Sequence, residues 1–180
     1  MGGKRRGLKS GWWVLPAVAV LVVALDQWAK HLVVTNLALY ESWAPIPALE
    51  NIFTIHHITN TGAAFGLFQD GNLFFMIVAV IVSLVILFYY RYVPDGQWFV
   101  RLSLGLQLGG ALGNLVDRLR TGSVVDFLNF QIWPVFNVAD MSIIGGVILL
   151  ALLLLREDYL ERKKADVGGA GEAERELSSG

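Results

Sequence analysis

Eighteen consecutive uncharged residues, 73–90, limit what this chain can fold into more than any other feature. A run of this length and apolarity approaches the roughly 20 residues that an α-helix needs to cross the hydrocarbon core of a bilayer. Three other long apolar segments accompany it, and only 16% of the 180 residues are charged, against about 25% in an ordinary soluble domain. The sequence therefore predicts an integral membrane protein.

Four membrane spans are predicted, at about residues 12–39, 73–90, 98–116 and 138–155. The first follows a basic, glycine-rich start and resembles a secretory signal peptide. No small-x-small cleavage site precedes Asp26, however, and the apolar pattern resumes after Lys30, so we interpret this segment as a retained helix. In the third span Gly105, Gly109 and Gly113 recur at every fourth residue. They predict a smooth helix face that a neighbouring backbone can approach closely.

Residues 40–70 have a different character. The segment IFTIHHIT is β-branched and aromatic and predicts a short strand, while Gly62 and Gly66 interrupt whatever follows it. We interpret the region as an interfacial β-rich lobe that leads into a re-entrant or half-helical piece around residues 62–68. His56 and His57 are interpreted as solvated strand residues near the lipid headgroups.

The predicted fold class is an all-α membrane protein with four transmembrane helices, a small extracytoplasmic β-rich cradle and a half-helix. Residues 1–164 form a single membrane domain, and the small, polar composition of residues 165–180 predicts a disordered cytoplasmic tail. Four spans place both termini on one side of the membrane. Only Lys30, Arg118 and Arg120 fall on the other side, so eleven of the fourteen Lys and Arg lie with the termini, which predicts that the termini are cytoplasmic.

Charged and amide side chains between the third and fourth spans are the main candidates for chemistry. A charge at membrane depth costs ~3 kcal/mol, so it is rarely found there without a function. Asp140 falls in the first turn of the fourth span behind Asn137, a plausible N-cap, where the helix dipole favours an ionised carboxylate. If the fold brings Asp126 close to Asp140, the two share a proton, and one activates water while the other protonates the carbonyl oxygen or the leaving amine. Taken singly, Asp126 could equally be an exposed loop acid, and Asp140 a plain helix-terminal acid.

Two ion pairs are predicted near these acids, Asp117 with Arg118 and Asp26 with Lys30, the second being one turn apart on one helix. For these four residues a supporting role is favoured over direct chemistry. Donors to a bound peptide could come from three further positions, although each is also an ordinary turn or packing residue: Asn60, Gly62 and Asn114.

The composition excludes several classes of function. No cysteine is present, which excludes a disulfide, a thiol nucleophile and a thiolate metal site, and the three histidines make a poor ligand set. The net charge of -1 predicts no nucleic-acid partner. With no thiol available, any catalysis must come from carboxylates, Lys, Ser or Thr.

Five sequence blocks resemble those of the lipoprotein signal peptidases (signal peptidase II), in the same order and at compatible spacing. They are DQWAK at 26–30, NTGAAFGLF at 60–68, GGALGNLVDR at 109–118, GSVVDF at 122–127 and FNVAD at 136–140. The resemblance leaves out only the terminal tails. It implies that Asp126 and Asp140 are the catalytic aspartates. It also implies substrate-binding or site-shaping roles for nine further residues: Asp26, Lys30, Asn60, Gly62, Asn114, Asp117, Arg118, Asn137 and Ala139.

The resemblance also implies the reaction. An aspartic endopeptidase of the bacterial inner membrane would remove the signal peptide from diacylglyceryl-modified prolipoproteins, cleaving on the amino side of the lipidated cysteine at the outer leaflet. Its expected partners are that substrate, membrane lipid and the cyclic peptide inhibitor globomycin, and the resemblance implies no metal and no organic cofactor.

Three rival interpretations remain open at this point. A small ion- or proton-conducting protein would also carry intramembrane acids, but staggered through the full membrane thickness. A non-catalytic scaffold could use the glycine face of the third span, although it leaves the acids unexplained. A presenilin-type protease would use two aspartates, but neither acid here lies in a GxGD sequence or in mid-span.

Overall fold

The computed structural model describes residues 11–62 and 71–179, with residues 164–179 as backbone only. Within those ranges the chain forms four long helices and three short strands. The helices are α1 (Val14–Asn36), α2 (Asn72–Tyr90), α3 (Trp98–Thr121) and α4 (Val138–Ser179). The strands are β1 (Ser42–Trp43), β2 (Thr54–Asn60) and β3 (Val124–Asn129), and a 3₁₀ turn spans Pro47–Leu49.

All four helices are long and apolar enough to cross a membrane, α4 over its Val138–Lys163 part. The predicted fold class of four spans with a small β-rich lobe is therefore confirmed. The predicted half-helical piece lies outside the described residues except for Gly62, the first of its residues.

Helix α3 lies at the centre and packs against α1, α2 and α4. Its glycines permit this packing, as the sequence predicts: a Cβ atom at Gly105 would lie 2.8 Å from Val18 Cβ, and one at Gly109 would lie 2.6 Å from Val22 Cβ. On the other side, Gly110 faces the backbone of Ala139 in the first turn of α4. Close backbone approach on two faces of one helix therefore brings α1 and α4 to the same end of α3.

The three strands form one antiparallel sheet in the order β1-β2-β3, which we call the cradle. The predicted strand is β2. Ile58 pairs with Asp126 and Asn60 pairs with Val124, so the side chains of Asn60 and Asp126 are diagonal neighbours on one face of the sheet. Strand β3 lies in the connection between α3 and α4, for which the sequence predicts no strand. The β-branched residues Val124 and Val125 pair with β2. The N–H of Phe127 donates to the carbonyl oxygen of Phe136.

Helix boundaries differ from those predicted in three places. Helix α1 begins and ends inside the predicted 12–39. Helix α3 continues to Thr121 rather than residue 116, so Asp117 and Arg118 lie on the helix, which ends at Gly122 in the left-handed conformation (φ 77°). The backbone of α4 is helical to Ser179, across the segment for which the sequence predicts disorder. Gly168, Gly169 and Gly171 give that extension little intrinsic stability, and its disorder in solution stays a prediction.

His57 also differs from the sequence-based interpretation, since it is buried and its Nδ1 lies 3.0 Å from the carbonyl oxygen of Leu37. This contact closes the junction between α1 and the cradle. The prediction that His57 is a solvated residue is therefore wrong.

Candidate active site

Asp140 is held by the residue that begins its own helix. Asn137 caps α4: the backbone N–H of Asp140 donates to Asn137 Oδ1 (2.9 Å), and the N–H of Asn137 donates to Asp140 Oδ2 (3.3 Å). This reciprocal pair has the form of a capping box and confirms the predicted N-cap. The second Asp140 oxygen, Oδ1, accepts a 2.7 Å hydrogen bond from Asn114 Nδ2. Both carboxylate oxygens of Asp140 are thus fixed by amide donors.

Asp126 is held from the cradle and from α4 together. Its Oδ1 accepts from Asn137 Nδ2 at 2.7 Å, and its Oδ2 accepts from Asn60 Nδ2 at 2.9 Å. The other end of the Asn60 amide accepts from the N–H of Gly62 (2.9 Å), which fixes the orientation of this amide. Gly62 has φ 120°, and a Cβ there would lie 2.7 Å from the Phe75 ring, so only glycine fits. Asn137 therefore contacts both aspartates.

Burial raises the pKa of Asp126 from 3.8 to about 6. The hydrogen bonds from Asn60 and Asn137 and the charge of Lys30 oppose this rise in pKa, whereas repulsion from Asp140 adds to it. The two carboxyl groups therefore lie close enough to influence each other. Under these conditions one member of the pair retains a proton at a pH where an ordinary aspartate has lost it.

The Asn114 amide connects this pair to a buried ammonium group. Asn114 Oδ1 accepts from Lys30 Nζ (3.0 Å) and from Asn137 Nδ2 (3.1 Å). Because the oxygen faces these two donors, the Nδ2 group of Asn114 must point the other way, to Asp140. Lys30 thus determines which end of the Asn114 amide faces Asp140.

Lys30 lies between two carboxylates in the buried interface of α1 and α3. Its Nζ is 2.8 Å from Asp26 Oδ2 and 2.7 Å from Asp117 Oδ2. The predicted pair of Asp26 with Lys30 is confirmed. The predicted pair of Asp117 with Arg118 is wrong, since Asp117 forms its ion pair with Lys30 and consecutive residues on a helix do not face each other.

Arg118 lies beside the site and not within the ion-pair cluster. Its Nη1 donates to the Asn114 carbonyl oxygen over a long 3.4 Å, and its guanidinium lies 5.2 Å from the centre of the Phe75 ring. Its Nε is buried and has no partner among the described residues. A buried hydrogen-bond donor without a partner is unusual. The Arg118 guanidinium is therefore a candidate donor to an oxygen atom of a bound molecule.

Asp26 also joins α1 to α4. The N–H of Ala139, in the first turn of α4, donates to Asp26 Oδ1 at 2.9 Å, and Ala139 is fully buried. This N–H is one of those that a helix start leaves without an intrahelical partner. The described parts of α1, α2, α3, α4 and the cradle therefore meet around the predicted site residues.

One participant was missed in the sequence. Gln27 donates from Nε2 to Asp117 Oδ1 at 2.7 Å and approaches the carbonyl oxygen of Gly113 at 3.3 Å. Its position directly after Asp26 in the block DQWAK was the available signal, but a single glutamine at a span carries no specific meaning. Among the residues that the structure describes, no group of three His, Asp or Glu side chains could hold a metal ion.

The chain matches one protein family over most of its length. The sequence model of the family described as "Signal peptidase (SPase) II" matches residues 18–156. This range contains all the residues of the site described above.

Relatives and solved structures agree with this match. The lipoprotein signal peptidase of Moorella thermoacetica is 50% identical over 138 residues, which is 77% of this chain and 90% of the relative. That of Halothermothrix orenii is 44% identical over 142 residues, 78% of this chain and 94% of the relative. A solved structure described as a bacterial membrane enzyme at 2.3 Å resolution superimposes with a TM-score of 0.76 at 32% identity, covering 83% of this chain and 92% of the other.

Proposed function

The chain belongs to the signal peptidase II family, and on that premise we propose that it removes the signal peptide from diacylglyceryl-modified prolipoproteins. The bond cleaved is the peptide bond on the amino side of the lipidated cysteine. The observation that carries this proposal is the pair of buried Asp126 and half-buried Asp140, which share the Asn137 side chain and backbone.

The proposed mechanism is that of an aspartic endopeptidase. One carboxyl group of the pair is ionised and takes a proton from a water molecule, whose oxygen attacks the carbonyl carbon of the scissile bond. The other carboxyl group gives its proton to the carbonyl oxygen. When the tetrahedral intermediate collapses, the C–N bond breaks, the leaving amine takes the proton that came from water, and a hydroxyl of the intermediate returns its proton to the other carboxyl group. The raised pKa of Asp126 supports the sharing of one proton by two acids near neutral pH.

The surroundings of the pair support this chemistry. The hydrogen bonds from Asn60, Asn114 and Asn137 occupy one lone pair on each carboxylate oxygen and hold both side chains in a single rotamer. Arg118, whose guanidinium lies beside the pair, is the proposed donor to the oxyanion or to the substrate backbone. A fixed set of donors needs no rearrangement when charge develops on the substrate.

The location of the pair suits a lipid-modified substrate. The pair lies at the ends of α3 and α4 next to the cradle, which we place at the outer leaflet of the bacterial inner membrane, with both termini cytoplasmic. A signal peptide can lie along the apolar helices while its scissile bond reaches the headgroup depth, where water is available. Globomycin is expected to bind at the same position.

Conduction of ions or protons is not favoured. The buried charged residues of the described chain fall into two groups at opposite ends of the bundle: Asp26, Lys30, Asp117 and Asp126 at one end, and Arg101 at the other. Helix α2 carries no formal charge between Asn72 and Tyr90. A conduction path would need titratable groups between the two ends.

The test is cleavage of a synthetic diacylglyceryl-modified prolipoprotein by the purified full-length chain. We expect Asp126→Asn and Asp140→Asn each to lower kcat by at least about 10³-fold, because each removes one of two groups that act as a unit. Thermal unfolding must show that both variants remain folded. Asp158→Asn, which changes an exposed aspartate on α4, is the matched control and should retain full activity.

Two outcomes would overturn parts of this proposal. If either amide variant keeps near-normal turnover, the pair is not the catalytic dyad, and Asp117 and Asp26 become the next candidates. If the wild-type chain leaves the lipid-modified substrate intact, the substrate assignment itself is wrong.

A further inference from the structure

An open cleft lies on the outward side of Asp140. It has a volume of about 260 Å³ and runs between the segment before α4, including Trp133 and Phe136, and the first turns of α4 at Asp140, Ile143 and Ile144. Trp133 is 65% exposed and Ile144 is 52% exposed, so the cleft opens to the surroundings of the bundle. Its walls are apolar except for the carboxyl group at its inner end.

The cleft continues onto the lipid-facing surface of α4. Ile144, Val147 and Ile148 are all about half exposed, and their spacing places them along one stripe of the helix. That stripe leads from Asp140 away from the cradle and toward the middle of the span Val138–Lys163. An apolar group that enters the cleft at Asp140 can therefore extend along α4 into the hydrocarbon.

The backbone around the cleft has few free hydrogen-bonding groups for an extended peptide. The N–H of Phe136 donates to the Leu128 carbonyl (3.1 Å), and the Phe136 carbonyl accepts from the N–H groups of Phe127 and Leu128. Pro134 has no N–H, and the N–H groups of Ile143 and Ile144 lie inside α4. An extended peptide would leave polar groups without partners at membrane depth, which is costly.

A helical segment matches the cleft less well than a hydrocarbon chain, because a helix with its side chains is about 10 Å wide and the cleft is a small open space of about 260 Å³. A hydrocarbon chain is narrower and needs no hydrogen bonds. Of the parts of a lipid-modified prolipoprotein, the acyl chain is therefore the one whose width and polarity match the cleft.

We propose that this cleft binds one acyl chain of the diacylglyceryl group, with the ester end near Asp140 and the methyl end along Ile144 and Val147. The inference rests on the proposed function, because the diacylglyceryl group is attached to the cysteine that follows the scissile bond. Only a few covalent bonds separate the reacting carbon from the glyceryl group. The chain must therefore leave the site close to Asp140, where the cleft begins.

Photo-crosslinking tests the position of the acyl chain directly. The probe is a lipopeptide with an S-diacylglyceryl cysteine and a diazirine at the end of one acyl chain, bound to full-length Asp126→Asn protein so that it is not cleaved. We expect the label within residues 143–148, where the proposal places the methyl end. A label mainly on α2, or equal labelling of every lipid-facing surface, would overturn the proposal. Labelling of the cleft by a diazirine placed in the signal segment of the peptide would also overturn the proposal.

A substitution that fills the cleft with a larger side chain provides an independent test, measured by KM and kcat. We expect Ile144→Trp to raise KM for the long-chain diacylglyceryl peptide by about tenfold, as the loss of contact for about two methylene groups would do. Its kcat should change by less than about twofold, and KM for the same peptide with butyryl chains should not change. The matched control is Ile77→Trp, an exposed apolar position on α2, which should leave both KM values unchanged.

This kinetic test separates the two proposals. If Ile144→Trp is folded and leaves KM for both substrates unchanged while wild-type cleavage still requires both aspartates, the acyl site is wrong and the proposed function stands. If the wild-type chain does not cleave the long-chain peptide, the proposed function fails first.

Discussion

Three asparagine side chains hold the two aspartates, and each has the orientation of its amide fixed by a second partner. The oxygen of Asn60 accepts from Gly62 N–H, that of Asn114 from Lys30, and that of Asn137 from Asp140 N–H. The NH₂ groups consequently face the carboxylates. An amide that could rotate would present oxygen to oxygen half of the time, so these second partners protect the geometry of the pair.

The raised pKa of Asp126 predicts how stability depends on pH. Because folding raises this pKa from 3.8 to about 6, the folded state binds the proton more tightly. The carboxyl group therefore favours folding at low pH, and this contribution is lost as pH rises from about 4 to about 6. Relative to wild type, Asp126→Asn should gain stability over that range, on the order of 3 kcal/mol at most. Thermal unfolding in detergent from pH 4 to pH 8 measures the difference.

A control variant and a contradicting result complete this test. Asp158→Asn, at an exposed position, should follow the wild-type pH curve. A constant difference in melting temperature between Asp126→Asn and wild type at every pH would show that the pKa of Asp126 is not raised by folding.

Lys30 supports a second prediction, because it is the shared ion-pair partner of two buried carboxylates. Lys30→Met leaves Asp26 and Asp117 without their ion-pair partner, and such a loss typically costs about 3–5 kcal/mol. We expect the double variant Lys30→Met/Asp117→Asn to recover part of this loss, since one uncompensated charge is removed. Chemical unfolding of the four proteins of this cycle gives the coupling energy. Strictly additive effects would contradict the ion pair.

Local relations among the proposed site residues were predictable from the sequence, but not all of their partners. Asp140 and Asn137 were predictable as a helix start, and Asp26 with Lys30 as a pair one turn apart, because these relations are local. The pairing of Lys30 with Asp117 depends on how α1 packs against α3, a contact across 87 positions of the chain that no local pattern encodes. The same holds for Gln27.

At the scale of elements, glycines on α3 determine how closely α4 approaches. A Cβ at Gly110 would overlap the carbonyl oxygen of Ala139. Gly145, on α4, has open space around its Cβ position. We expect Gly110→Ala to push the start of α4 outward, lowering stability by about 1–3 kcal/mol as overpacking does and lowering kcat, because Asp140 moves with that turn.

The matched variant is Gly145→Ala, which should be neutral or stabilising by up to about 1 kcal/mol, since alanine favours the helix. Unfolding midpoints and kcat of both variants check the prediction. Equal effects of the two substitutions would show that the contact between α3 and Ala139 is not tight.

Elements of the cradle show where prediction from sequence fails. Strand β2 has seven residues and a clear β-branched and aromatic character, whereas β3 has six and is interrupted by Asp126. Its pairing with β2 and the bridge between Leu128 and Phe136 make it a strand. Short strands owe their stability to their partners, so sequence alone left this region as a connection.

At the scale of the whole molecule, the two ends of the bundle differ in construction. The end opposite the site is closed by Arg101, which is buried and donates to Tyr90 Oη and to the carbonyl oxygens of Val93 and Pro94. The hydroxyl of Tyr90 in turn contacts the Trp12 carbonyl. These contacts join the start of α1, the end of α2 and the start of α3. These hydrogen bonds hold the helices together at the proposed cytoplasmic end, whereas the proposed catalytic residues lie at the opposite end.

The orientation of the molecule is directly testable because the chain has no cysteine. We expect a single cysteine at Glu50, in the exposed segment between β1 and β2, to react with a membrane-impermeant maleimide added outside intact spheroplasts. A cysteine at Tyr92, in the exposed loop between α2 and α3, should react only after the membrane is opened, because the positive-inside rule places that loop in the cytoplasm. The reverse pattern of labelling would invert the proposed topology.

The positions of the two aspartates along the chain have a consequence for folding. Asp126 and Asp140 are separated by fourteen residues, and the bridge from Leu128 to Phe136 closes most of that loop. Closing so short a loop costs little entropy, so the acids can meet as soon as β3 and the first turn of α4 have formed. Asp26, by contrast, contacts Ala139 across 113 residues. We therefore expect the acids to come together early and locally in folding, and to become aligned only when the first helix has docked.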